Sequence, residues 1–175
     1  MYLLDTSVVS SAVNPKHLLH TKTRSFLDSS GQNQDRIFVS VITVAETRFG
    51  LHLLKYRKPP FSPKFIAEVE RRVAGIASTG MVLPVTRHIA ETQGRLRADY
   101  AAVQMPKKAA AGYGLKGINV ELWHDALPPS VLQITENDLW IAATAITHDL
   151  TLVAADNDFH KVQKASSDLK ILLLS

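Results

Sequence analysis

The sequence predicts an α/β fold: a mostly parallel central sheet with helices on both faces. Three observations carry the prediction. Short apolar runs, several of them β-branched, alternate along the chain with longer segments whose apolar residues recur at helical spacing. Residues that start helices follow those runs, and Gly or Pro closes several of the helices. Strands alternating with helices require right-handed crossovers, which bury a parallel sheet between helices.

Taken in order, Tyr2-Leu3-Leu4 reads as a short buried strand. Thr6 or Ser7 can cap the segment Val8 to Val13, which stops near Asn14-Pro15. Leu18 to Leu27 is expected to be helical and to end in the turn-forming Asp28-Ser29-Ser30-Gly31. The run Ile37 to Ile42 is β-branched without helical period, so it reads as a buried strand, followed by a helix from about Val44 to Tyr56 that Pro59-Pro60 closes. Ser62 caps the next helix with Pro63 at its first position; Phe65, Ile66, Val69, Val73 and Ile76 keep its period, and Gly80 stops it. Met81 to Val85 is a short strand, at an edge because Pro84 lacks a ladder donor. Thr86 caps a helix to about Val103, and Thr135 one from Glu136 to about Thr147. Leu150 to Ala155 is a strand, Phe159 to Ala165 a short helix, and Leu169 to Leu174 a last strand. Residues 98–134, with Pro106, three glycines and Pro128-Pro129, are long for a connection, and loops of that length tend to be functional.

At 175 residues the chain suits one domain, residues 1–175, with a sizeable core and no internal repeat or linker. Hydrophobic residues at 46% against 21% charged exclude a disordered chain. The absence of Cys excludes disulfides and thiolate chemistry and makes a cytoplasmic setting natural. No apolar run approaches the roughly 20 residues of a membrane helix, and the N-terminus lacks the basic region of a signal peptide. A formal charge of +4 is compatible with nucleic acid without demanding it; carboxylates gathered in one pocket leave the remaining surface more basic.

Four acids recur where a strand runs out and a helix or turn begins: Asp5, Glu46, Asp138 and Asp156. In open parallel sheets the site lies beyond the carboxyl ends of the strands. Each acid also has a plainer reading. Thr43-Val44-Ala45-Glu46 matches a capping box, and Thr135-Glu136-Asn137-Asp138 matches one with Asp in place of Glu. Asp5 can be a cap, and Asp156-Asn157-Asp158 a turn. Four such acids at one sheet edge are less economical as independent caps. Gathered together they repel one another unless a divalent cation neutralises them, and oxygen ligands of this kind suit Mg²⁺ or Mn²⁺. A metal-activated water then needs no protein nucleophile, in keeping with a chain that has no Cys and no nucleophile elbow.

The segments Leu3-Leu4-Asp5-Thr6-Ser7-Val8, Ser40 to Gly50 around Glu46, Asn137 to Ala145 beginning with Asn137-Asp138, and Thr151 to Phe159 resemble, in order, the four signature blocks of PIN-domain nucleases. They are most similar to the VapC-type toxins of toxin–antitoxin pairs. The resemblance implies a PIN-like three-layer sandwich and a Mg²⁺- or Mn²⁺-dependent endoribonuclease. It also implies a homodimer, and an antitoxin whose tail covers the site in a toxin–antitoxin hetero-oligomer. It puts Asp5, Glu46 and Asp138 at the family's first three acidic positions and Asp156 at the fourth. Asp158 follows as a second-rank metal ligand, and Thr6 and Ser7 offer hydroxyls beside the site. Two departures stand out: Ala154 replaces a frequent Thr, and the stretch between Arg97 and Asn137 is much longer than in a minimal member, so substrate choice is expected there.

The expected reaction is hydrolysis of an RNA phosphodiester by metal-activated water. Arg48, Lys107, Lys108 and Lys116 are candidate contacts to the RNA backbone, and Tyr113 a candidate to stack on a base, each with an ordinary surface or loop residue as the alternative. His17 and His20 form no convincing ligand set, and Trp140 reads as core. Competing readings are a PIN nuclease of RNA processing or decay without an antitoxin, and a non-cleaving PIN-like module that binds RNA or protein; the second predicts loss of an acid, and none of the four positions is lost. An aspartate-nucleophile phosphotransferase needs a second Asp two residues after Asp5, where Ser7 stands.

Overall fold

Three-residue β1 (Tyr2–Leu4) is the centre of the molecule. It pairs in parallel with β2 (Ile37–Ser40) on one side and β4 (Thr151–Ala154) on the other, with Leu4 level with both Val39 and Val153. Outside these lie β3 (Met81–Leu83) and β5 (Lys170–Leu173), giving the order β3-β2-β1-β4-β5 with every pairing parallel. The computed structural model describes residues 1–59, 61–79, 81–110, 122, 134–155 and 157–174. Its helices among these are α1 (Thr6–Val13), α2 (His20–Gln32), α3 (Val41–Leu53), α4 (Pro63–Thr79), α5 (Arg87–Ala110), α6 (Glu136–Thr147) and α7 (Phe159–Gln163).

Successive strand residues point to opposite faces, and each face has its own core. Leu3, Leu152 and Ala154 pack with Ile89, Leu96 and Tyr100 of α5, Leu139 and Ile141 of α6, and Phe159 and Val162 of α7. Leu4, Val39 and Val153 pack with Val8 and Val9 of α1, Phe26 and Leu27 of α2, and Val44 of α3. The sheet is therefore the middle of three layers, as the alternating pattern predicts.

Four boundaries differ from the sequence reading. Asp5 caps α1, as the plainer reading of that acid has it, in place of Thr6 or Ser7: its backbone is extended and its side chain accepts the Ser7 N–H. Helix α2 continues through Asp28-Ser29-Ser30-Gly31, because Phe26 and Leu27 pack into the core and Ser30 is buried; the chain turns only at Gln34, with φ 56°. The β-branched run Ile37 to Ile42 divides at Ser40, whose hydroxyl accepts the Ile42 N–H at 3.2 Å and starts α3 three residues before the expected place. Helix α5 carries on past Val103 to Ala110, so part of the long connection is helix. Smaller shifts fall at other ends: α2 starts at His20 rather than Leu18, α3 stops at Leu53 rather than Tyr56, and β3 at Leu83 rather than Val85. Ser62 accepts the Phe65 N–H at 3.2 Å to start α4, and β3 lies at an edge with Met81 and Val82 exposed. Among the described residues no helix is long and apolar enough to cross a membrane.

Candidate active site

From β1 the chain winds to β2 and β3 on one side and to β4 and β5 on the other, so the order reverses between β1 and β4. The carboxyl edge at such a reversal is where open sheets form a crevice. Asp5 leaves β1 there, its N–H donating to the Val153 carbonyl at 2.9 Å. The Oδ2 atom of Asp5 accepts from the Ser7 N–H at 3.1 Å and the Ser7 hydroxyl at 2.5 Å. Ser7 Oγ in turn accepts the Ala155 N–H at 3.3 Å, tying the first turn of α1 to the end of β4. Asp5 is 3% exposed, and its Oδ1 is buried with no hydrogen-bond partner. Burial pushes its carboxyl up from 3.8 to about 6; the Ser7 hydrogen bonds oppose this, and the charge of Asp138 adds to it.

Glu46 lies in the second turn of α3. Its expected role in a capping box with Thr43 does not hold, because Ser40 already caps the helix and Thr43 is inside it, its hydroxyl buried without a partner. Glu46 instead faces the site. Its Oε2 accepts from the Thr6 hydroxyl at 2.5 Å and its Oε1 from the Asn137 amide at 2.8 Å. Consecutive residues of one helix start, Thr6 and Ser7, thus orient two different carboxylates.

Asp138 does complete the capping box expected of it. Its N–H donates to Thr135 Oγ1 at 3.3 Å, while its Oδ2 accepts the Thr135 N–H at 2.7 Å and the Thr135 hydroxyl at 2.8 Å. Capping and a role in the pocket are compatible, since the Asp138 charge is felt at Asp5. The start of α6 is also held from α5: Glu136 accepts from the Gln93 amide and pairs with Arg97 at 3.5 Å.

The sequence reading missed Asn137 as a partner of Glu46, and it missed Tyr100. Fully buried on α5, Tyr100 has its phenol pushed up to about 12 by burial and by the charges of Asp158 and Asp138. Its place in the stripe Ile89, Leu96, Tyr100 reads only as core, which hides what its polar end meets. Asp158 stands at the start of α7, makes no capping bond, and pairs with Lys161 at 2.7 Å. Asp156 lies outside the described residues.

Among the described residues no three acidic or histidine side chains stand close enough to enclose an ion. Glu46 has donors on both oxygens, and Asp138 has one oxygen engaged in its cap. The fit to a divalent cation therefore rests on Asp5. A buried carboxylate oxygen without a donor needs a proton or a cation, and the carboxylate that carries this one feels the charge of Asp138.

Of the candidate RNA contacts, Arg48 is paired with Glu70 of α4 at 3.8 Å; both side chains are well exposed, so the pair is worth little. Lys107 is exposed on α5. The Lys108 side chain, Lys116, Tyr113 and Trp123 lie outside the described residues. His17 and His20 bond the backbone at Leu19 and Ser11, and Trp140 packs against the core. A groove of about 620 Å³ opens between α1, α3 and α4, running from Glu46 past Leu54 to Phe61 and Phe65, with Lys16 and Arg57 along it.

The family model of the PIN domain matches residues 2–165. Solved structures share the fold across nearly the whole chain. VapBC2 from Rickettsia felis, bound to a DNA fragment from their promoter, is similar at 20% identity and a TM-score of 0.63, with 98% of this chain and 97% of that one covered. FitAcB from Neisseria gonorrhoeae is similar at 24% identity and a TM-score of 0.65, over 98% and 96%. FitAB bound to an IR36 DNA fragment is similar at 26% identity and a TM-score of 0.65, over 99% and 95%. No curated protein matches the sequence.

Proposed function

The chain belongs to the PIN-domain family, and from that premise we propose that it is a metal-dependent endoribonuclease acting as the toxin of a toxin–antitoxin pair. The observation that carries the proposal is the buried, partnerless Oδ1 of Asp5, on a carboxylate that feels the charge of Asp138. Asp5, Glu46, Asp138 and Asp156 would hold Mg²⁺ or Mn²⁺, with Asp158 as a further ligand. When bound, the cation polarises a phosphoryl oxygen and supplies hydroxide near neutral pH.

The chain's own residues do the rest. Ser7 fixes one oxygen of Asp5 and leaves the other buried without a donor. Thr6 and Asn137 hold Glu46 in one orientation. Burial keeps water from screening the Asp5 carboxylate, so that it attracts a cation strongly. Arg48 can leave its exposed partner for a phosphate, and Lys107, Lys108 and Lys116 belong to the connection that would meet the RNA.

Support for an antitoxin comes from a structural neighbour, VapBC-5 from Mycobacterium tuberculosis, a member of the VapBC family of toxin–antitoxin systems, and from the groove that begins at Glu46. Its apolar lining suits side chains of an antitoxin tail, which would then block the acids. The toxin is expected to be a homodimer. Expression in a bacterial host tests the reading: growth should arrest, Asp5→Asn should abolish the arrest, and the partner antitoxin should relieve it. A folded protein that cuts RNA but leaves growth untouched would favour RNA processing without an antitoxin.

A further inference from the structure

Glu46 is unusual in this pocket because both of its oxygens are engaged from other helices. Thr6 donates to one from α1 and Asn137 donates to the other from α6, a residue 91 positions away. The amide must present its nitrogen, since a carboxylate can only accept. Asn137 itself cannot drift: Thr135 and Asp138 lock the first turn of α6 in a capping box, and Glu136 is anchored to Gln93 and Arg97 of α5. Four consecutive residues, 135–138, thus each have a fixed task, and that of Asn137 points into the site.

We propose that Asn137 is a positioning residue, whose amide holds Glu46 in its cation-binding orientation and fixes the distance between the helix that carries Glu46 and the helix that carries Asp138. The proposal rests on the reading of Glu46 as a metal ligand. Without the amide, Glu46 keeps only the Thr6 hydroxyl and its carboxylate gains a rotational freedom that must be lost again when a cation binds. Groups that orient ligands from outside the coordination shell typically change metal affinity about 10- to 100-fold when removed.

Mn²⁺ titration by calorimetry of wild type, Asn137→Ala, Glu46→Gln and the double variant tests it, with thermal midpoints measured alongside and Asn137→Gln as the variant that keeps a donor. Asn137→Ala should weaken Mn²⁺ binding about 10- to 100-fold in the wild-type background and not at all in the Glu46→Gln background, while Asn137→Gln recovers part of the loss. The KM for RNA should stay unchanged, with cleavage recovering at high Mn²⁺. Equal losses in both backgrounds, or a lowered thermal midpoint with unchanged Mn²⁺ affinity, would overturn the role and reduce Asn137 to a fold contact. If wild type itself binds no Mn²⁺, the metal reading fails, and this role falls with it.

Discussion

Replacing Asp5 by Asn should destroy the activity and yet stabilise the cation-free protein at neutral pH. In the unfolded chain the carboxyl titrates near 3.8, and in the folded protein at about 6. Between those pH values the folded state binds more protons than the unfolded one, so stability falls as pH rises through the window and the full penalty is present above pH 6. At 1.36 kcal/mol per pH unit the difference amounts to about 3 kcal/mol, and Asp5 is buried enough for that conversion to stand. The Asn carbonyl can take over the Ser7 hydrogen bonds, but its NH₂ group then occupies the site of the partnerless Oδ1, at a cost of about 1–2 kcal/mol. The expected net gain is about 1–2 kcal/mol at pH 7.5. Urea unfolding in EDTA at pH 7.5 and 4.5 measures it. The change on substitution should favour Asn by about 2 kcal/mol more at pH 7.5 than at pH 4.5, and this difference is insensitive to the amide cost. An Asp5→Asn protein less stable than wild type by the same amount at both pH values would refute the claim that Asp5 is a strained, ion-seeking carboxylate.

The same titration sets the pH dependence of metal binding: Mn²⁺ affinity should be flat above about pH 6 and fall about tenfold per pH unit below it, as protons compete for Asp5; a flat profile down to pH 4.5 by calorimetry would contradict this. Thr6→Val removes the donor to Glu46 with little change of shape and should weaken Mn²⁺ binding about 10- to 100-fold, read in the same titration. Thr43→Val replaces a buried, partnerless hydroxyl by a methyl group and should stabilise the fold by about 1 kcal/mol in thermal unfolding; a loss of stability would mean that the hydroxyl is satisfied after all.

Strand and helix order, the edge position of β3 and the place of Asp5 at the carboxyl end of β1 were legible in the sequence, because hydrophobic period and sheet-edge acids are local patterns. Where reading failed, tertiary context had overruled composition. Ser40 sits in the middle of a β-branched run, and nothing local says that it caps a helix. That error moved the helix start and made Glu46 look like half of a capping box. At Asp138 the plain reading holds, since one oxygen caps α6, and it leaves room for the functional one, since the charge still reaches Asp5. Asn137 and Tyr100 stayed hidden because their partners are distant in sequence: an amide 91 residues from its carboxylate leaves no periodic trace. The Gly- and Pro-rich part of the long connection remains an expectation about substrate choice, and with it Lys116 and Tyr113.

Cleavage of a mixed RNA pool by the purified protein, with Mn²⁺ and with EDTA, beside Asp5→Asn, tests the central claim most directly. The account predicts cutting that requires the metal and vanishes in the variant. Cutting that survives EDTA or survives loss of the Asp5 carboxylate would contradict it.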